Sequence, residues 1–379
     1  MLTPTPRAEA GFIPALDGLR GIAIILVMLH HFTYLQPTGG ISGLIGGVLM
    51  FGWAGVDLFF VLSGFLITGI LIDTRGSPRY FTTFYARRTL RIFPLYYLVL
   101  FVALIVLPQL PALHHAVVEH DGVPPQWPYW VYLTNFSIAD RGWMHGWLDI
   151  GWSLAIEEHF YLVWPLVIWL CPPRLVAVLC GVIIMGEPAA RVFARASMVD
   201  PLPIYVVTWF RIDGLAIGAL LALAQRRGLL PSLNRWVPVV VIGGVAGIIG
   251  CVIMGGNTGY WNRWMQQYGY SLIAITAGAM LVAAISRPAD SLWPRMLSSG
   301  WLRAFGKYSY GLYLIHPPVM RVMRDYVINP LDIDAIAIAP WIGQAVFYAV
   351  AGAPAFGLAW LSWRWFEAPI LSLKARFPY

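Results

Sequence analysis

Apolar runs of membrane-spanning length follow one another along almost the whole chain. A span needs about 20 predominantly apolar residues. Windows of that kind predict helices near 15–35, 44–73, 92–111, 150–171, 174–195, 203–225, 236–255, 266–286, 303–323 and 341–368. The pattern predicts an all-α polytopic membrane bundle of about ten transmembrane helices. These form a single integral-membrane domain over residues 1–379, with no segment set apart as a soluble domain. The longer windows leave room for tilt or for a helix that continues out of the bilayer. Pro108, Pro111, Pro172, Pro173, Pro201, Pro203 and Pro340 fall near the ends, where a missing N–H costs little.

Polar residues interrupt this pattern at a few places. The first window contains LDGLRGIAIILVMLHHF over residues 16–32, with Arg20 and His31 eleven positions apart. A helical rise of about 1.5 Å per residue separates them by roughly 16 Å, around half a bilayer core. Embedding an arginine costs about 2.5–3.5 kcal/mol on insertion scales, which makes such a residue a functional candidate. The bland reading is that Arg20 snorkels to the interface and His31 caps the helix in headgroup water.

Composition agrees with a membrane protein. Of 379 residues, 59% are hydrophobic and 11% charged, and the mean hydropathy is +0.69, whereas soluble domains carry about 25% charged residues. The 18 Trp and 18 Tyr suit interfacial belts and aromatic-lined cavities. Placing both termini in the cytoplasm puts sixteen Lys and Arg on the inner side against six outside, with Arg20, Arg211 and Arg364 within spans. The positive-inside bias therefore orients Arg20 toward the cytoplasm and His31 toward the outer face. The net charge of +7 is spread without a basic run, which argues against nucleic acid. Cys171, Cys180 and Cys251 are scattered and apolar in context, so neither a disulfide framework nor a thiol nucleophile is expected. The first window lacks a cleavage site and reads as a retained span.

Three polar groups then fall at consistent depths. FYARRTLRIFPLYY, residues 84–97, brings Arg87, Arg88 and Arg91 to the cytoplasmic boundary. Arg88 and Arg91 are three apart and share a helix face. Guanidinium forks there suit a phosphorylated ligand, and anchoring to anionic lipid would use the same residues. WSLAIEEHFYLVWP, residues 152–165, opens a span from the outer side and sets Glu157 and Glu158 near the depth of His31. The two carboxylates point about 100° apart. A buried carboxylate beside an imidazole orients and activates a histidine base; a Glu pair solvated by headgroups is the alternative. The third group is Asp57 and Ser63, Arg211 and Asp213, and His316. Ser63 lies in SGF rather than a GxSxG elbow, and Gly64 reads as a close helix contact. Arg211 and Asp213 read as a structural ion pair or interfacial contacts. His316, before Pro317 and Pro318, either ends its helix or touches the acceptor.

The longest outer loop, about 112–149, holds His114, His115, Glu119, His120, Asp121, Asp140 and His145 without zinc-like spacing, so no metal is expected. Within it PQWPYWVYLTNF, residues 125–136, reads as an interfacial or re-entrant piece that could line the entrance for a large polar acceptor. Trp127, Trp130, Trp143 and Trp147 are consistent with sugar stacking.

These motifs, in order and nearly end to end, resemble the acyltransferase-3 family of integral-membrane O-acyltransferases. The elements are LDGLRGIAIILVMLHHF, GVDLFFVLSGFLIT, Arg88-x-x-Arg91, WSLAIEEHFYLVWP, RIDGLAIGALLA and SYGLYLIHP. The resemblance implies transfer of an acyl group, by default acetyl from cytoplasmic acetyl-CoA, to a hydroxyl of a cell-surface or lipid-linked saccharide at the outer side of a bacterial inner membrane. It implies His31 as the catalytic histidine with Glu157 as its acidic partner. Arg88 and Arg91 would hold the CoA phosphates, and Arg20 would lie on the thioester path. Asn135, Trp152, Glu158 and His316 are the expected acceptor contacts. General-base catalysis and an acyl-imidazole route both stay open. The expected partners are acetyl-CoA, the saccharide and membrane lipids, with the oligomeric state open and a dimer among the options. The chain stops soon after the last window, without the extracytoplasmic hydrolase-like domain of some relatives, a form that resembles exopolysaccharide O-acetyltransferases. The competing class is a proton-coupled secondary transporter or flippase, against which stands the absence of a second DGLR, SGF or EEHFY element.

Overall fold

The computed structural model describes residues 13–35, 40–109, 125–144, 146–329 and 340–379. Among them the regular structure is helical throughout. Seven segments are long and apolar enough to cross a membrane: Pro14–Phe32, Gly43–Thr74, Tyr80–Gln109, Pro173–Ala196, Val237–Gly255, Met265–Ser286 and Trp341–Arg376. Each overlaps one of the windows expected from sequence, with Tyr80–Gln109 beginning twelve residues before its window and Trp341–Arg376 running past the end of its own.

The elements that build the site are α1 (Pro14–Phe32), α2 (Gly40–Met50), α3 (Gly55–Thr74), α4 (Tyr80–Phe101), α5 (Thr134–Arg141), α6 (Gly151–Leu170) and α7 (Pro173–Ala196). After them come α8 (Pro201–Val206), α9 (Asp213–Arg226), α10 (Val237–Gly255), α11 (Tyr270–Ser286), α12 (Gly300–Lys307), α13 (Ser309–Val322) and α14 (Pro340–Ser362). The three remaining windows behave differently. Residues 150–171 form the single helix α6, whose apolar run is diluted by Glu157, Glu158 and His159. The 203–225 window is broken into α8, a 3-10 turn at Thr208–Phe210 and α9. The 303–323 window is divided at Tyr308 between α12 and α13.

The break before α9 has a polar cause. The Glu187 carboxylate on α7 accepts the N–H groups of Ile212 and Asp213, each at 3.0 Å, and so caps the first turn of α9. Arg211, thrown out of helical register, reaches Asp57 on α3 at 2.9 Å, and Asp213 pairs with Arg191 on α7 at 2.9 Å. The ion pair expected between Arg211 and Asp213 is thus replaced by two pairs to other helices, because neighbours two apart on a helix start face different partners. All four charged groups are buried, and their role is to fix how α3, α7 and α9 register rather than to add much net stability.

Close packing does the rest. A Cβ on Gly64 would lie 2.0 Å from the Leu215 carbonyl oxygen, and one on Gly218 2.1 Å from that of Val61. The α3 and α9 backbones therefore touch directly, as Gly64 led one to expect. Helix α1 runs through the middle, packed against α3, α11, α12, α13 and α14, with Leu19, Ala23 and Ile24 fully buried.

Candidate active site

Three cavities follow one another along α1 and α3. The first opens beside the start of α1 and measures about 850 Å³. Seven basic side chains line it, Arg20, Arg87, Arg88, Arg91, Arg303, Lys307 and Lys374, against one acidic one, Asp17. Helix α4 starts at Tyr80, earlier than expected from apolarity, so its arginines are held on a formed helix. Arg87 donates to the carbonyls of Phe377 at 2.9 Å and Lys374 at 3.3 Å. Arg88 lies over the Tyr161 ring at 4.8 Å. Arg91 lies between Tyr310 and Trp363, 3.7 Å from the Glu367 carboxylate. Aromatic faces hold the guanidiniums while leaving N–H groups for a ligand.

The second cavity is a narrow chamber of about 120 Å³ that shares Arg20, Arg88 and Arg91 with the first and adds Ser63, Glu157 and Tyr161. Tyr161 donates to Glu157 at 3.0 Å and lies 2.5 Å from the Ser63 hydroxyl.

The third cavity, about 220 Å³, lies at the C-terminal end of α1 and shares Val56 and Tyr313 with the chamber. His30, His31 and Asp149 face it, with a wall of Trp53, Trp143, Trp152, Tyr205 and Tyr260. Tyr205 and Tyr260 stack at 4.1 Å, and Trp152 meets Tyr205 at 4.6 Å. Trp143 donates its indole N–H to the Tyr260 hydroxyl at 3.0 Å. Asp149 accepts the Met144 N–H at 2.7 Å and the Tyr129 hydroxyl. Burial and that carboxylate push the Tyr129 phenol above its ordinary pKa, so it stays a donor.

The imidazoles have defined tautomers. His31 Nδ1 lies 2.9 Å from the Val27 carbonyl, one turn back on its own helix. A carbonyl only accepts, so Nδ1 carries the proton and Nε2 keeps its lone pair. The same Nδ1–H points to Nε2 of His316 at 3.2 Å. His30 is engaged elsewhere, its Nδ1 donating to the Met50 carbonyl at 2.7 Å.

The sequence-predicted residues thus separate into groups. Arg20, Arg88 and Arg91 come together, and Glu157 joins them in the chamber. Glu157 is not hydrogen-bonded to His31: similar depth did not settle the direction, and the partner beside His31 is His316. Trp152 lines the third cavity. His316 is fully buried behind His31 rather than on the cavity wall. Asn135 lies off the cavities, donating to Thr208 Oγ1 at 2.9 Å, a hydroxyl that also meets His159 at 2.8 Å. Glu158 lines none of the three, and its Oε1 is buried without a partner. His114, His115, Glu119, His120, Asp121 and His145 lie outside the described residues, among which no group of three metal-ligating side chains occurs. Sequence reasoning missed Asp149, for which there was no signal, and Tyr205 and Tyr260, for which only the abundance of aromatics gave one.

The profile described as "Acyltransferase domain", of the acyltransferase-3 family, matches residues 13–364. The chain belongs to the acyltransferase-3 family. It is 30% identical over 388 aligned residues to the peptidoglycan O-acetyltransferase OatA of Listeria monocytogenes, covering 97% of this chain and 57% of that protein. It is 32% identical to the putative peptidoglycan O-acetyltransferase YrhL of Bacillus subtilis, over 82% of this chain and 49% of that protein. To the O-acetyltransferase OatA of Staphylococcus aureus it is 27% identical, over 95% of this chain and 57% of that protein. The chain therefore spans about half the length of these curated relatives. No solved structure matches it. The matched residues line all three cavities, except that Leu371, Lys374 and Tyr379 of the first lie beyond the match.

Proposed function

We propose that this protein transfers an acetyl group from cytoplasmic acetyl-CoA to a saccharide hydroxyl on the outer side of a bacterial inner membrane. The observation that carries the reading is His31, its Nδ1–H spent on Val27 and its Nε2 left with a lone pair, lining a cavity whose wall is shared with a chamber that in turn shares three arginines with a vestibule of seven basic side chains. In this reading Arg20, Arg88 and Arg91 take the phosphates of CoA through charge-assisted hydrogen bonds. The pantetheine arm then threads past Glu157 toward His31. With the vestibule cytoplasmic, as the Lys and Arg distribution favours, the aromatic cavity faces outward and receives the acceptor. Stacked Tyr205 and Tyr260 offer a face for a pyranose ring, and Asp149 offers acceptor oxygens for its hydroxyls.

His31 Nε2 takes the proton of the acceptor hydroxyl as its oxygen attacks the thioester carbonyl. The C–S bond breaks, and the thiolate leaves with that proton as CoA. A cell-envelope glycan is the acceptor class that the names of the relatives favour. The test is purified protein in nanodiscs with radiolabelled acetyl-CoA and cell-envelope glycan, wild type against His31→Ala. Label moving to glycan with wild type alone supports the reading; CoA release and labelling at equal rates in both removes His31 from it.

A further inference from the structure

His316 serves no contact in the mechanism above, yet it is built into the core with unusual care. It sits in α13, where Pro317 and Pro318 remove the N–H groups that would bond the carbonyls one turn back. The helix is held on both sides: Tyr310 donates to the Ile92 carbonyl at 2.6 Å, and Tyr313 to that of Ile150 at 3.0 Å. The His316 side chain is wholly inaccessible. Its Nδ1 lies 2.8 Å from the Leu312 carbonyl, so that nitrogen is the donor and Nε2 presents a lone pair. That lone pair meets the Nδ1–H of His31 at 3.2 Å, with ring centroids 5.0 Å apart. The order is therefore directional: Leu312 carbonyl, His316, His31, cavity.

We propose that His316 is a positioning residue for His31, completing a histidine pair in the place where a histidine–carboxylate pair was expected from sequence. The inference rests on the base role of His31 given above. The His31 Nδ1–H is shared between the Val27 carbonyl at 2.9 Å, which sets the tautomer that leaves Nε2 free, and His316 Nε2 at 3.2 Å, which orients the ring and is the one of the two acceptors able to take up charge. When Nε2 takes the acceptor's proton, the Nδ1 proton lies in the hydrogen bond to His316, and the positive charge is spread over two rings instead of one. When Nε2 returns its proton to the CoA thiolate, both rings regain their starting tautomers, so protons balance with no further reactant. A neutral partner suits this low-dielectric position better than a buried carboxylate, which would need its own compensation.

The test compares His316→Gln, whose amide oxygen can replace the Nε2 acceptor, with His316→Phe and His316→Asn, which cannot supply it. Three readouts are taken in nanodiscs: kcat and KM for acetyl-CoA, CoA affinity by calorimetry, and the His31 Nδ1 resonance by ¹⁵N-histidine NMR, assigned with His31→Ala. The expected result is kcat lowered about a hundredfold in the Phe and Asn variants, in line with the general-base range. CoA affinity is unchanged, the His31 Nδ1 resonance shifts as its hydrogen bond to His316 is lost while the Val27 carbonyl keeps the tautomer, and the Gln variant stays within about tenfold of wild type. The proposal is overturned if the His31 Nδ1 resonance is unchanged in the Asn and Phe variants, or if Gln is no better than Phe. If wild type itself transfers no label, the base reading fails, while the Nδ1 resonance still decides whether His316 bonds and orients His31.

Discussion

Removing Arg88 and Arg91 together separates donor binding from folding. Both line the vestibule and the chamber beyond it. A hydrogen bond to a charged group contributes about 1.5–3 kcal/mol, and two guanidiniums on one ligand would give about 3–6 kcal/mol if additive. Three residues apart on one helix they are coupled, and five other basic side chains line the same cavity. The lower end, about 3 kcal/mol, is therefore the expectation, or roughly a hundredfold in Kd. Calorimetry of CoA binding to Arg88→Ala/Arg91→Ala in nanodiscs reads this directly, and pantetheine, which lacks the nucleotide phosphates, is the control. The double variant also loses the cation–π contacts to Tyr161, Tyr310 and Trp363, so Arg88→Lys/Arg91→Lys is measured alongside. The lysines restore charge without the bidentate fork and should recover part of the affinity. An unchanged CoA affinity, or an equal loss for pantetheine, would refute the assignment of these arginines to the phosphates.

Other outcomes follow from the same geometry. His31→Ala should abolish acetyl transfer while His30→Ala retains part of it, because His30 spends its Nδ1–H on Met50; equal loss in label transfer would mean that the two are not distinguished. Tyr205→Ala should raise the KM for the saccharide acceptor about two- to tenfold, since ring stacking contributes about 0.5–1.5 kcal/mol, and leave CoA affinity unchanged by calorimetry. Asp57→Ala leaves Arg211 buried and uncompensated and should cost about 3–5 kcal/mol. Thermal unfolding in detergent should show part of that loss recovered in Asp57→Leu/Arg211→Met, and no recovery would count against the pair as its cause.

The chain's sequence makes some of this legible and conceals the rest for identifiable reasons. Periodic apolarity locates seven spans because hydropathy is local and additive along a helix. It overstates continuity at 207–212, where a carboxylate from α7, distant in sequence, supplies the cap that ends one helix and begins another. Spacing along a helix is readable from the sequence, and Arg20 and His31 accordingly line different cavities along α1. Direction around the axis is set by neighbours, and this is why Glu157 turns to Tyr161 while His31 finds His316, 285 positions away in the chain. The aromatic cavity escapes detection for a similar reason. Tyr205 and Tyr260 come from separate segments, and only their meeting at 4.1 Å gives them a shared surface.

The narrow middle chamber bears on a different problem from catalysis. A membrane enzyme with a passage from a donor on one side to an acceptor on the other risks becoming a leak for the ion gradients its membrane maintains. A constriction of about 120 Å³ holds only a few waters. The three guanidiniums at its entrance, Arg20, Arg88 and Arg91, set a positive field against hydronium and metal cations, as charged constrictions do in water-selective pores. On the proposed reading, the side chains suited to drawing in an anionic nucleotide are thus also suited to insulation, admitting a thioester arm while opposing cations.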